Sequence, residues 1–162
     1  MSDYKAPDGT SIGHVHLKVS DLDRAESFYR DVLGFEVTAR YGTEASFMSA
    51  GGYHHHIGLN TWHSKGAPPA PVRSAGLFHL AILYPTRKDL ANAVKRVVDQ
   101  GYALDGAADH DVSEAIYLHD PDNNGIELYR DRDRSEWQRE ANGDIVMRSL
   151  PLDIDDLLAQ AD

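Results

Sequence analysis

The 162-residue chain has no cysteine, which excludes disulfides, thiolate zinc sites and a cysteine nucleophile. Basic residues are scarce. Sixteen Lys and Arg stand against 26 Asp and Glu, and the net charge of −10 argues against nucleic acid or an anionic membrane as partner. Long apolar runs are missing too, so no segment is long enough to cross a bilayer. Residues Met1 to Ser11 are polar and lack an apolar signal core, and the expected location is cytoplasmic. What remains is an ordinary apolar content of 41% on a length suited to one compact domain over residues 1–162. Nine histidines are many for this length, and their placement carries the functional argument.

Alternation predicts a first strand over about Ile12–Val19, with Val15, Leu17 and Val19 on one face and His14, His16 and Lys18 on the other. Ser20 or Asp21 then caps a helix whose apolar stripe is Leu22, Ala25, Phe28, Tyr29, Val32 and Leu33, with Gly34 as its stop. Phe35–Arg40 is expected as a strand. A hairpin over Glu44–Ser49 and Tyr53–Thr61 turns at Gly51-Gly52. The proline-rich stretch at about 64–75 is a linker. A second pass begins with a strand over Leu77–Leu83, followed by a helix over about Arg87–Gln100 that stops at Gly101. A short strand is assumed near Ala103. Strands over Ala115–His119 and Ile126–Tyr129 flank the turn Asp120-Pro-Asp-Asn-Asn-Gly125. The order is β-α-β-β-β twice, an α+β fold. Module one covers about 11–62 and module two about 76–130. The tail at 131–162 is dense in charge, ends in a short helix capped by Asp153, and suggests no chemistry.

The two modules superpose with His14 on His79, 65 residues apart, and Gly58 on Glu127. Two histidines and one carboxylate then share the strand face opposite the one that covers the helices. Glu127 sits between Ile126 and Leu128, and an inward carboxylate in such a place needs a partner. A metal held by His14, His79 and Glu127 would satisfy it, with Gly58 leaving a corner open. A salt bridge would satisfy it equally well.

The run from His14 to Phe35, His-Val-His-Leu-Lys-Val-Ser-Asp-Leu-Asp-Arg-Ala-Glu-Ser-Phe-Tyr-Arg-Asp-Val-Leu-Gly-Phe, resembles the opening of the vicinal oxygen chelate superfamily. Asp120-Pro-Asp-Asn-Asn-Gly-Ile-Glu-Leu-Tyr129 supports the likeness in module two, and together the match covers about residues 11–130. The resemblance implies two tandem βαβββ modules whose mixed sheet curls into a cup around one metal. Glyoxalase members usually place a glutamate where this chain has Gly58, which counts against glyoxalase chemistry. The segment His54-His-His-Ile-Gly-Leu-Asn-Thr-Trp62 is similar to the catechol-2,3-dioxygenase-like branch.

That branch implies an Fe(II)-dependent extradiol dioxygenase, with Mn(II) accepting the same ligands, acting on a small aromatic diol with dioxygen. By this resemblance His56 is an acid–base catalyst facing the cup, Tyr117 hydrogen-bonds substrate oxygens, and His110 is a further active-site histidine. His110 lies seven residues from Tyr117, against nine in the extradiol pattern. His16 and His54 are expected to line the substrate. His55 alternates to the opposite face and is expected to be structural, while His63 and His119 are expected in solvent. A homodimer is the family expectation. Two alternatives remain open at this point. One is another metalloenzyme on the same scaffold, a glyoxalase-like isomerase or a thiol transferase. The other is a non-catalytic small-molecule-binding protein.

Overall fold

A computed structural model describes residues 4–162. Module one contains β1 (Val15–Lys18), α1 (Leu22–Ser27), β2 (Glu36–Tyr41), β3 (Ala45–Ser49) and β4 (Ile57–Asn60). Module two contains β5 (Leu80–Leu83), α2 (Arg87–Asp99), β6 (Gly106–Asp109), β7 (Ser113–His119) and β8 (Gly125–Asp131). Each module forms a four-stranded sheet, ordered β1-β4-β3-β2 and β5-β8-β7-β6. In both, the first and last strands pair in parallel and the remaining pairs are antiparallel. The fold is α+β, and the sequence repeat is a repeat of topology. Its register repeats as well. Val15 faces Ile57 and His16 faces Gly58, while Leu80 faces Ile126 and Ala81 faces Glu127. Gly58 and Glu127 therefore occupy equivalent places, and His14 and His79 each precede the first paired residue.

Helix starts follow the sequence. Asp21 caps α1 by accepting the Arg24 N–H at 3.0 Å, and Thr86 caps α2 by accepting the Asp89 N–H at 3.1 Å. The end of the first helix does not stay α-helical. It widens into a π-helical turn over Phe28–Val32 before Gly34 stops it at φ +83°. The wider turn lets the adjacent rings of Phe28 and Tyr29 both point inward, and both are fully buried.

Strands β1 and β5 begin three residues later than alternation suggests. Ile12, Leu77 and Phe78 are 94%, 62% and 89% exposed, so the apolar alternation there belongs to the surface. Likewise β4 starts at Ile57, and His54–His56 lie outside any strand. The short strand assumed near Ala103 is β6, a few residues further on.

The two modules share one apolar core. Leu17, Val19, Ile57 and Leu59 of the first sheet meet Ile116, Leu118, Ile126 and Leu128 of the second around Phe28, Tyr29, Val94 and Val97. Polar groups lock the join. The Asp120 carboxylate accepts the N–H groups of Asp122 and Asn124 within its own turn, and accepts the Tyr29 hydroxyl from module one at 3.0 Å. Burial, and then the Asp120 charge, push the Tyr29 phenol well above its ordinary pKa, so it stays a neutral donor. Asp122 receives the N–H and hydroxyl of Ser20 and the Arg24 guanidinium. A short helix, α3 (Ile154–Leu158), docks the tail on α2 by burying Leu157, aided by an Arg87–Asp156 ion pair.

Glu114 on β7 is a buried carboxylate held by Arg87 of α2 at 2.9 Å and Arg130 of β8 at 2.8 Å. Arg132 stands 3.7 Å away. Replacing Glu114 with Ala leaves these guanidinium groups facing one another. The expected loss is about 3–5 kcal/mol, measured as a shift of the urea midpoint. Gly125 is needed for a different reason: a Cβ there would lie 2.3 Å from the Phe78 carbonyl oxygen and 3.2 Å from His79 Cβ. Gly125→Ala must push β5 away from β8, with an expected cost of about 1–3 kcal/mol in the same assay.

Candidate metal centre

The parallel register of β5 and β8 determines what His79 meets. Its imidazole comes off the residue just ahead of β5, and Glu127 projects from the second paired position of β8. His79 Nε2 and Glu127 Oε2 lie 2.9 Å apart. Two neighbouring ligands on one octahedral metal, each about 2.1 Å from it, would be about 3.0 Å apart. The pair is therefore spaced as two ligands of one ion would be. His79 Nδ1 is buried without a hydrogen-bond partner among the described residues, so the protein alone leaves this ring unsatisfied. The spacing fits a metal held by Nε2 and Oε2, with Nδ1 then carrying the ring proton.

Tyr117 faces Glu127 across the β7–β8 ladder and donates its hydroxyl to Glu127 Oε1 at 3.3 Å. Its phenol pKa is pushed up to about 12, first by burial and then by the Glu127 charge and hydrogen bond. It is a neutral donor throughout the ordinary pH range. The same hydroxyl lies 2.7 Å from His110 Nε2, and His110 Nδ1 lies 2.6 Å from the Arg148 carbonyl oxygen. A carbonyl only accepts, so Nδ1 carries a proton and Nε2 of the neutral ring is free to accept from Tyr117. When His110 carries both protons, Nε2 donates to the phenol oxygen and Tyr117 donates to Glu127. Glu127, Tyr117 and His110 thus form one continuous line of hydrogen-bonding groups, with His79 beside Glu127 at its end.

His14 is not part of that line. It is exposed, and its ring stacks against His55 with centroids 4.3 Å apart. Among the described residues no three His, Asp or Glu side chains are gathered as a metal-holding group. The structure brings two of the three candidate ligands together and leaves the third in module one.

The histidine run differs from its expected arrangement. His56 is held by the hairpin through one ring nitrogen. Its Nδ1 accepts the Ala50 N–H at 3.3 Å and lies 3.2 Å from Ser49 Oγ, tying it to the hairpin. His55, expected on the opposite face, is the member that meets His14 and Phe47. His54 and His55 precede β4, and strand alternation does not extend to them, while the backbone of His56 already bonds Val15 of β1 and Met48 of β3. Burial, then the neighbouring His14, lower the His55 pKa. His54 is exposed, with its Nδ1 2.7 Å from that of His55. His63 is exposed as expected, and so is His119, which pairs with Asp105.

His16 explains Gly58. A Cβ at Gly58 would come within 3.0 Å of the His16 ring, so the missing side chain makes room for an imidazole rather than leaving a coordination corner open. The ring is flanked by Phe47 at 5.7 Å and Trp62 at 5.5 Å between centroids, and burial, then His14, lower its pKa. Beside it a cavity of about 580 Å³ is lined by Tyr41, Phe47, Trp62 and His63. Sequence reasoning missed this aromatic wall, and also missed Arg148. No motif marks either, since their neighbours are set by register and by the path of the tail.

Comparison with known proteins agrees with this architecture. Residues 11–128 match the family model of the Glyoxalase/Bleomycin resistance protein/Dioxygenase superfamily. A catechol-2,3-dioxygenase of Bacillus subtilis (strain 168) is 42% identical over 153 residues, covering 94% of this chain and 52% of the relative. A biphenyl-2,3-diol 1,2-dioxygenase of Rhodococcus globerulus is 31% identical over 121 residues, covering 74% of this chain and 63% of the relative. The chain thus spans between half and two thirds of the length of these relatives. Among solved structures, a glyoxalase/dioxygenase from Nostoc punctiforme superposes with a TM-score of 0.64 at 18% identity, over 82% of this chain and 99% of that one. A glyoxylase/bleomycin resistance protein/dioxygenase domain from Frankia sp. EAN1pec gives 0.63 at 25% identity, over 76% and 98%. By sequence and by fold, the chain belongs to the glyoxalase/bleomycin resistance protein/dioxygenase superfamily.

Proposed function

We propose that the protein is an extradiol ring-cleaving dioxygenase that acts on a small aromatic diol with dioxygen. The observation that carries this reading is the His79–Glu127 pair, 2.9 Å apart and continuous with Tyr117 and His110. The relative named for catechol 2,3-dioxygenation, 42% identical over nearly the whole chain, supports it. His79 and Glu127 would hold the metal, with His14 as third ligand. Two histidines and a carboxylate are the set used by oxygen-activating Fe(II) enzymes, so Fe(II) is assigned, and Mn(II) would accept the same donors. Once bound, such a metal would gather diol and dioxygen at one centre and lower the pKa of the diol hydroxyls.

The chain's own residues supply the rest. Tyr117, a neutral phenol at working pH, has one proton to give: to His110 Nε2 when that ring is neutral, and to an oxygen of the substrate when His110 carries both protons and donates to the phenol oxygen. His110 accepts or returns a proton through Tyr117, since its Nε2 lies 2.7 Å from that hydroxyl. His110 would share the proton work that resemblance assigns to His56, whose Nδ1 is held by the hairpin. His16, walled by Phe47 and Trp62, is suited to contact an aromatic ring.

We further infer a homodimer in which His14 joins His79 and Glu127 of the second copy. His14 is exposed in a segment that carries the 94% exposed Ile12, and His79 follows the exposed Leu77 and Phe78. A two-fold axis would cover both segments and complete two identical centres.

Metal-free protein loaded anaerobically with Fe(II) is expected to take up dioxygen with catechols and release a yellow ring-opened product. His79→Ala should lose both metal and activity. Tyr117→Phe should keep the metal and lower kcat by about 10- to 100-fold. Stoichiometric metal without uptake across a panel of substituted catechols would instead indicate a non-redox enzyme. The dimer has its own test in mixing His14→Ala with His79→Ala chains. Shared centres predict recovery of about a quarter of the parental metal content and activity through random pairing. A monomer by sedimentation, or folded mixed dimers with no recovery, would overturn the shared centre.

A further inference from the structure

The charged tail, which suggests no chemistry in the sequence, holds one end of the line of hydrogen-bonding groups. His110 sits in the tight connection between β6 and β7, where Asp111 adopts φ +66°. This left-handed backbone is uncommon for any residue but glycine, asparagine and aspartate. The Asp111 carboxylate is gripped by Arg148, with Nε at 2.9 Å from Oδ2, Nη2 at 2.5 Å from Oδ1, and the Arg148 N–H at 3.2 Å. The carbonyl of this same Arg148 accepts the proton of His110 Nδ1. Two residues further on, Leu150 pairs with Asp109 through backbone bonds of 2.9 Å in both directions.

We propose that the Arg148–Asp111 pair is a positioning device that fixes the tautomer of His110. The grip aims the Arg148 carbonyl at Nδ1, which keeps the proton on that nitrogen and leaves Nε2 as an acceptor facing Tyr117. Without it, the ring would be free to carry its proton on Nε2, where Tyr117 could no longer donate to it. The pair is solvent-exposed on the Arg148 side, and exposed ion pairs contribute little to stability. Stability alone is thus a poor reason for its geometry, in which the side chain and main chain of one residue both serve the same turn.

The tautomer claim stands on the hydrogen bonds alone, and its catalytic consequence rests on the dioxygenase reading. The test uses Asp111→Asn, which tolerates the same backbone, and Arg148→Gln, with Arg148→Lys as the conservative variant. Long-range proton–nitrogen NMR of the imidazole, at a pH where His110 is neutral, should show Nδ1–H in the parent and a mixed or reversed tautomer in the first two variants. Arg148→Lys should restore it only in part, because lysine lacks the two-pronged grip. With catechols as substrates, kcat should fall about tenfold with KM nearly unchanged. An unchanged tautomer in both Asp111→Asn and Arg148→Gln overturns the proposal. A protein inactive on all diols that still shows the tautomer shift overturns only the dioxygenase reading.

Discussion

The centre depends on the close parallel pairing of β5 and β8. Parallel strands bring residues of distant sequence side by side, and here they join His79 to Glu127 across the whole of module two. The approach is tight at Gly125, where the Phe78 carbonyl occupies the space of a side chain. The turn before Gly125 is built by the Asp120 carboxylate, and that carboxylate also receives Tyr29 from module one. One buried group therefore sets the start of β8 and the seating of one module on the other. A change in either propagates to Glu127, two residues beyond Gly125.

The same register has been given different content in the two modules. At the place where module two has Glu127, module one has Gly58 with the His16 ring laid over it. Phe47, Trp62 and His55 extend this into an aromatic face. Module two instead keeps a polar line from Glu127 through Tyr117 to His110. A repeated fold thus offers a carboxylate and proton donors on one half and ring surfaces on the other.

Much of this was legible in the sequence because it is periodic or capped. The repeat, the Asp21 cap, the Gly101 stop, the Asp120 turn and the tail helix at Asp153 are local signals, and the structure has them where the residues put them. That Glu127 needs a partner followed from a carboxylate set between apolar neighbours, and the structure sets His79 beside it. The contacts of His54 and His55 were not legible, because alternation holds only inside a strand and both precede β4. Arg148 was invisible for another reason. It acts through its carbonyl, which every residue has, and through a partner 37 positions away.

His79 and Glu127 also carry an energetic argument about the centre. Their side chains are only 29% and 13% exposed, and water solvates them poorly. Tyr117 offers Glu127 a long hydrogen bond of 3.3 Å, while His110 holds the shorter contact with the same hydroxyl. The imidazole has a buried nitrogen with no partner among the described residues. Such a cluster is costly to fold unless something positive completes it. A divalent cation between Nε2 and Oε2 would supply charge to the carboxylate and a bond to that nitrogen, leaving Nδ1 to carry the ring proton, and its binding would then appear as folding stability. The poorly solvated carboxylate set 2.9 Å from an imidazole nitrogen is thus a physical reason for the site to favour a cation, independent of any likeness to other proteins.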